Sequence, residues 1–242
     1  SVAMLTPIDY ANSMTTTADG RACQNNSDNE EIDITTTQSF TILPPSDNTT
    51  HEPLTLNLHA NRNDGILSDV ASSIWDVGLL LSAYLYGTNK GRNMCYDACF
   101  STGGNGILEI GSGMGIVGLS AATSALSIHT EVQHDESATS RVVLSDRNNN
   151  QILSHLQTNV NVNLEAISNA SNKAILEKNI SITAEPCDWI DVSTFLHINT
   201  DPSCDTKNNF PRCGFNLILG SALVYFPEHA AACADTLYYY LT

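Results

Sequence analysis

Residues 107–118 read Ile-Leu-Glu-Ile-Gly-Ser-Gly-Met-Gly-Ile-Val-Gly, and no other stretch so narrows the folds open to this chain. Ile107, Leu108 and Ile110 form a short apolar run of the kind found in strands buried on both faces. Gly111, Gly113 and Gly115 then allow a tight turn, and Ile116 to Leu126 can begin a helix. A strand, a glycine turn and a helix start make a corner suited to a nucleotide. The glycines let a ligand approach the backbone, and the helix start carries N–H groups without intrahelical partners. Glu109 breaks the apolar run, where a carboxylate is costly unless a polar group meets it.

With 242 residues the chain can hold one α/β domain with a substantial core, or two small ones. No apolar run is long enough to span a bilayer, and the first residues lack the basic start and apolar core of a signal peptide. The formal charge is −16, from 26 acidic and 10 basic residues. Such a surface repels nucleic-acid phosphates and anionic membranes and suits lysine-rich protein segments, although a solvated acidic surface also serves solubility. The seven cysteines contain no Cys-x-x-Cys pair; Cys95 and Cys99 are four apart, Cys204 and Cys213 nine apart. Neither cluster has a convincing histidine partner, so no metal site is expected, and free thiols in a reducing cytosol fit better.

Residues 1–38 are rich in Thr, Asn, Ser and Asp, and the composition predicts a mostly disordered segment ahead of a domain over 39–242. Phe40–Leu43 and Leu54–Leu58 alternate and suggest a hairpin with a long turn. Ser73 to Tyr86 has helical spacing, with Ser72 or Ser73 able to cap it and Gly87 ending it. Residues 87–104 read as loop, and the polar stretch 127–140 as a surface insertion. Arg141–Ser145, Ile180–Ala184 and Phe215–Leu219 are further strands. Helices are predicted over 149–163, with Ile152, Leu156, Val160 and Leu164 as the buried stripe, and from Pro227 to Leu241. This alternation implies a doubly wound, mainly parallel sheet with an N-terminal hairpin extension. In such sheets ligands sit beyond the carboxyl ends of the strands. Gly111, Asp146, Asp188-Trp189 and Ser221-Ala222 each follow a strand and would share that edge.

The glycines alone leave the ligand open. Gly113-Met114-Gly115-Ile116-Val117-Gly118 formally matches the dinucleotide fingerprint, which points to an NAD-dependent oxidoreductase. Against it, Gly111 already makes the turn, and Asp146 stands farther off than the roughly 20 residues expected of the ribose-binding acid. A strand–helix turn with no ligand is the third possibility.

Glu109-Ile110-Gly111-Ser112-Gly113-Met114-Gly115 resembles the first motif of the seven-β-strand (class I) S-adenosylmethionine-dependent methyltransferases, E/D-x-G-x-G-x-G. The order of further motifs resembles the family-16 protein-lysine methyltransferases. These are a Trp-led helix (Ile74-Trp75-Asp76), an acid after the second strand (Asp146), Asp188-Trp189 after the third, and Gly220-Ser221-Ala222-Leu223-Val224-Tyr225 after the fourth. The resemblance covers roughly residues 54–241.

That resemblance implies a Rossmann-like methyltransferase fold using S-adenosylmethionine on a protein lysine; the chain is expected to be a monomer in the cytoplasm, with the nucleus as a further candidate location. It implies cofactor contacts from Trp75, Glu109, Gly111, Ser112, Gly113, Asp146, Asp188, Trp189 and Ser221. Asp146 would take the ribose hydroxyls, Asp188 and Trp189 the adenine, and Tyr225 the lysine entrance. Glu109 would either face the cofactor's amino group or hold the turn through backbone N–H groups. Ala222 stands where the family carries an acid, which raises the alternative of a catalytically idle module that binds cofactor or protein. Four strands are in place by Leu241 where the family has seven, so the expected domain is incomplete at its C-terminus and the chain a piece of a longer product.

Overall fold

The computed structural model describes residues 14–17, 35–46, 52–61, 75–101, 105–132, 140–170, 180–189, 215–224 and 227–241. The strands are β1 (Met14–Thr17), β2 (Thr35–Ile42), β3 (Leu54–Asn61), β4 (Ile107–Ile110), β5 (Ser140–Asp146), β6 (Ile180–Pro186) and β7 (Leu217–Leu219). The helices are α1 (Asp76–Gly87), α2 (Asn89–Phe100), α3 (Ile116–Val132), α4 (Asn150–Ala170) and α5 (Pro227–Leu241).

Strands β4 to β7 form one parallel sheet in the order β6-β5-β4-β7. Strand order reverses between β4 and β7, which opens a crevice beyond the carboxyl end of β4. Alternate residues of β4 serve opposite faces. Ile107 joins a large core with Leu119 and Ala122 of α3, Leu156 and Val160 of α4, and Leu85 of α1. Leu108 and Ile110 join a smaller one with Val143, Phe215, Cys233 and Tyr240, covered by α5. Helices on both faces thus satisfy the doubly wound expectation, and the apolar character of β4 follows from burial on two sides.

The hairpin is also present. Ile42 pairs with Leu54 and Phe40 with Leu56, antiparallel, and these four side chains are buried in the large core. The strands reach further than the apolar pattern suggested: β2 starts at Thr35, and β1 inside the 1–38 stretch pairs with it. Across the other face Thr41 meets Thr55, Ser39 meets Asn57, and Thr37 meets His59 through side-chain hydrogen bonds. The remaining edge of β3 is closed by helix α4. Asn163 Oδ1 accepts from Asn57 N at 2.7 Å while its Nδ2 donates to Asn57 O at 2.7 Å. Asn159 treats His59 the same way and also donates to Met114 O.

Several local expectations are corrected. Helix α1 starts at Asp76 with Trp75 as its N-terminal cap residue, without a side-chain cap bond; Ser72 and Ser73 lie outside the described residues. The stretch read as loop over 87–104 contains helix α2. Its start is capped by Thr88, whose Oγ1 accepts from Gly91 N at 3.0 Å. The buried face of α2 is Gly91, Arg92, Cys95, Ala98 and Cys99, a small-residue face pressed against neighbouring helices. Arg92 donates to Ser127 Oγ at 2.9 Å, which makes its burial tolerable. Helix α3 runs on through His129, which is buried and stacked on Phe100 with ring centres 4.0 Å apart, so the polar insertion begins later than Ser127. On α4 the buried stripe is Leu156, Asn159, Val160, Asn163 and Ile167, while Leu164 is exposed.

Candidate functional site

The turn after β4 is built from the inside outward. Gly111, Gly113 and Gly115 have φ of 62°, 52° and 84°. A side chain at Gly111 would be strained by that angle, and its Cβ would also come within 2.7 Å of Leu223 and 3.5 Å of Trp189. Three of the turn's N–H groups are bonded within the protein. Ser112 N donates to Ser145 O at 2.8 Å, Gly113 N to Asp146 Oδ2 at 2.8 Å, and Gly115 N to Ser112 O at 2.8 Å. Ser112 Oγ in turn accepts from Ser145 N at 2.9 Å.

Glu109 is bonded to the start of helix α3. Its side chain is buried beneath the turn, and Oε2 accepts from Gly118 N, in the first turn of α3, at 2.9 Å. Burial pushes this carboxyl up to about 8, against the pull of the Gly118 and Ser112 hydrogen bonds and with the charge of Asp146 adding to the rise. The helix start therefore offers fewer open N–H groups than the motif suggested. A pyrophosphate cradle needs those groups, so their use within the protein argues against the dinucleotide fingerprint.

Asp146 ends β5 and is half-buried at the mouth of the turn. Its Oδ2 holds Gly113 N and its Oδ1 holds Arg147 N, each at 2.8 Å. A carboxylate offers about four acceptor positions, so two remain for a ligand's hydroxyls. Burial raises this carboxyl above its ordinary range; the two backbone N–H groups and Arg147 lower it, and nearby Asp188 raises it further. Next along, Cys187 N donates to Asp146 O at 2.7 Å, which fixes the end of β6 beside the end of β5. The Cys187 thiol is buried and pushed up to about 11, so it is a packing group and no nucleophile.

Asp188 and Trp189 follow, both half-buried. Trp189 lies alongside Gly111 and meets the His229 ring edge-on at 6.5 Å, which ties it to the start of α5. Ser221 and Ala222 follow β7; Ala222 has φ of 52°, a left-handed conformation that a residue with a Cβ rarely adopts. Helix α1 closes the other side. A Cβ on Gly78 would lie 3.4 Å from Ser221 Oγ and 3.7 Å from Ile116, so the α1 start sits over both the β7 loop and the α3 start.

The structure thus brings Gly111, Ser112, Gly113, Asp146, Asp188, Trp189 and Ser221 to one edge of the sheet, with Glu109 below and exposed Trp75 at the nearby α1 start. Tyr225 lies outside the described residues. Ser145, Gly78 and His229 take part without having been singled out. Gly78 alone gave a signal, as a glycine within an apolar helical run. Among the described residues, no group of three or more His, Cys, Asp or Glu side chains could hold a metal ion.

A comparison with curated proteins gives no match. The family model described as lysine methyltransferase matches residues 54–240, a span that starts with β3 and takes in every loop of this sheet edge. With its glycine turn, its β5 acid and its parallel four-strand order all inside that span, the chain belongs to the lysine methyltransferase family.

Proposed function

We propose that this chain binds S-adenosylmethionine beyond the ends of β4, β5, β6 and β7 and methylates a lysine of another protein. Membership of the family implies both the cofactor and a protein substrate. The observation that carries the reading is Asp146: half-buried, fixed through both oxygens by backbone N–H groups, and still able to accept two ribose hydroxyls. The surroundings fit a nucleoside carrying positive charge and no phosphate. Acids Asp146 and Asp188 stand at the mouth, and the N–H groups of Ser112, Gly113 and Gly115 are bonded within the protein.

When bound, the cofactor supplies a methyl group on a positively charged sulfur. Gly111 and Gly113 let the backbone lie close to it, Trp189 offers a flat wall for the adenine, and Asp188 an acceptor for its amine. The incoming lysine has a reference pKa near 10.4 and must arrive neutral. A site that excludes water favours the neutral amine, and holding it in line supplies much of the rate. Free Cys95, Cys99, Cys187 and Cys233 suit action in a reducing compartment such as the cytoplasm.

Calorimetry with S-adenosylmethionine tests the binding step. Saturable one-site binding, lost in Asp146→Ala and Gly113→Arg, is the expected result, and no binding by a folded wild-type chain would end the proposal. Transfer of labelled methyl to a protein band in a lysate of the source cells tests the reaction. Binding without transfer would favour an idle module, the reading that Ala222 motivates.

A further inference from the structure

Helix α5 lays one stripe of side chains toward the sheet. His229, Cys233, Thr236 and Tyr240 follow the i, i+4, i+7, i+11 spacing of a single helix face. Cys233, Thr236 and Tyr240 are buried, and Cys233 and Tyr240 lie in the smaller core with Leu108 and Ile110 of β4. Thr236 satisfies its hydroxyl within the helix by donating to Ala232 O at 2.9 Å. His229, one turn before Cys233, is half-buried at the head of the same stripe. There its ring meets the Trp189 indole with centres 6.5 Å apart and planes at 83°. That is the edge-to-face arrangement, in which the positive edge of one ring points at the negative face of the other.

Little else in the local chain sets the tilt of this indole. The backbone is fixed two residues earlier, where Cys187 N donates to Asp146 O at 2.7 Å. Toward the turn, Trp189 Cζ2 would lie 3.5 Å from a Cβ at Gly111, but residue 111 carries no side chain. Packing on the smaller core supports the indole, and that packing has no preferred ring angle of its own.

We propose that His229 is a positioning residue for the cofactor: its ring sets the tilt of the Trp189 indole and thereby the fit of that wall to the adenine. This rests on the methyltransferase reading above. A flat wall fits a planar base at one tilt, and His229 selects it from a helix that Cys233 and Tyr240 anchor in the core. The role belongs to the ring rather than to bulk, since a leucine fills similar space but has neither the positive edge nor the negative face.

The test compares the full wild-type chain with His229→Ala, His229→Leu and His229→Phe by calorimetry with S-adenosylhomocysteine. The alanine variant should bind about fivefold more weakly, the phenylalanine variant about as well as the wild type, and the leucine variant close to alanine. A second measurement needs no ligand. In a Trp75→Phe background Trp189 is the single indole of the chain. Its fluorescence emission should move to longer wavelength with alanine or leucine at position 229 and return with phenylalanine. Should the alanine chain not fold, the comparison of leucine with phenylalanine decides. Equal affinities, equal emission, or recovery with leucine as complete as with phenylalanine overturns the proposal. A folded wild type without affinity for S-adenosylhomocysteine ends the methyltransferase reading and this role with it, whereas equal binding by the wild type and His229→Ala ends the proposal alone.

Discussion

Glu109 of β4 holds the backbone N–H of Gly118 at 2.9 Å, so a carboxyl from the sheet caps the first turn of helix α3 from within the core. An acid inside an apolar strand is thereby accounted for: it meets a helix start that would otherwise bury an unpaired donor. Burial keeps the group protonated to about pH 8 in the folded chain, whereas the unfolded chain ionises it near 4.3.

Stability should therefore fall with rising pH. Below the unfolded value both states carry the proton and the contribution is complete. Between that value and about 8 only the folded state keeps it, so stability is lost progressively as pH rises through this window. Melting temperatures from pH 5 to 8 should decline in the wild type and decline less in Glu109→Gln, which retains an acceptor for Gly118. Equal slopes would show that Glu109 is not the group responsible.

Gly118→Ala should destabilise the protein even though alanine is the better helix former. A Cβ there would lie 2.7 Å from Glu109 Oε2 and 2.7 Å from Leu144 Cγ, both in packed surroundings. A loss of about 2 kcal/mol in urea unfolding is expected, as for other overpacked cores. A neutral or stabilising result would mean that the carboxyl moves aside freely.

Asp146→Asn keeps an acceptor for Gly113 N, whereas Asp146→Ala removes it. The alanine variant should lose cofactor affinity about a hundredfold or more, and the asparagine variant less, because charge-assisted hydrogen bonds to the ribose are roughly twice as strong as neutral ones. Calorimetry at neutral pH separates the two. Equal losses would show that charge contributes nothing beyond geometry.

Ala222 occupies a left-handed backbone position. Ala222→Gly should gain about 1 kcal/mol in unfolding experiments by relieving that conformation. Ala222→Asp places a residue type that tolerates the same angle and supplies the acid that the resemblance implies here, so under the proposed function labelled-methyl transfer should rise. Unchanged transfer in a folded Ala222→Asp would show that this position does not limit the reaction.

Asn163→Leu would leave Asn57 N and O without their present partners on the β3 edge. The cost should be about 2 kcal/mol, the usual penalty for stranding buried polar groups. Hydrogen exchange at Asn57 should accelerate together with the fall in stability. Retained protection would show that another group already covers the edge.

Much of this was legible from the chain. The run Ile107–Ile110 and the glycines after it specify a buried strand and a tight turn through hydrophobicity and backbone freedom, both local properties. Asp146 could be located because it ends an apolar strand. Helix α2 was hidden because its buried face is made of Gly91, Arg92, Cys95 and Ala98, which carry little hydrophobic signal. Its stability comes from close approach: a Cβ at Gly91 would meet the backbone of Tyr84 and Leu85. Leu164 and Asn163 exchange the roles that hydrophobicity assigns them, since the facing surface is a strand edge with open backbone groups rather than apolar side chains. The seat of Glu109 depends on Gly118, nine residues on, and on a helix packed across the sheet, which no strand pattern reveals.

The amides of Asn159 and Asn163 act on β3 as a further strand would, making four hydrogen bonds to Asn57 and His59. An incoming chain seeking to prolong the three-stranded sheet on that side must first displace a whole helix. The hairpin is thereby shielded from strand-to-strand aggregation on that border, and it cannot swing away from the parallel-sheet body without tearing those bonds from α4.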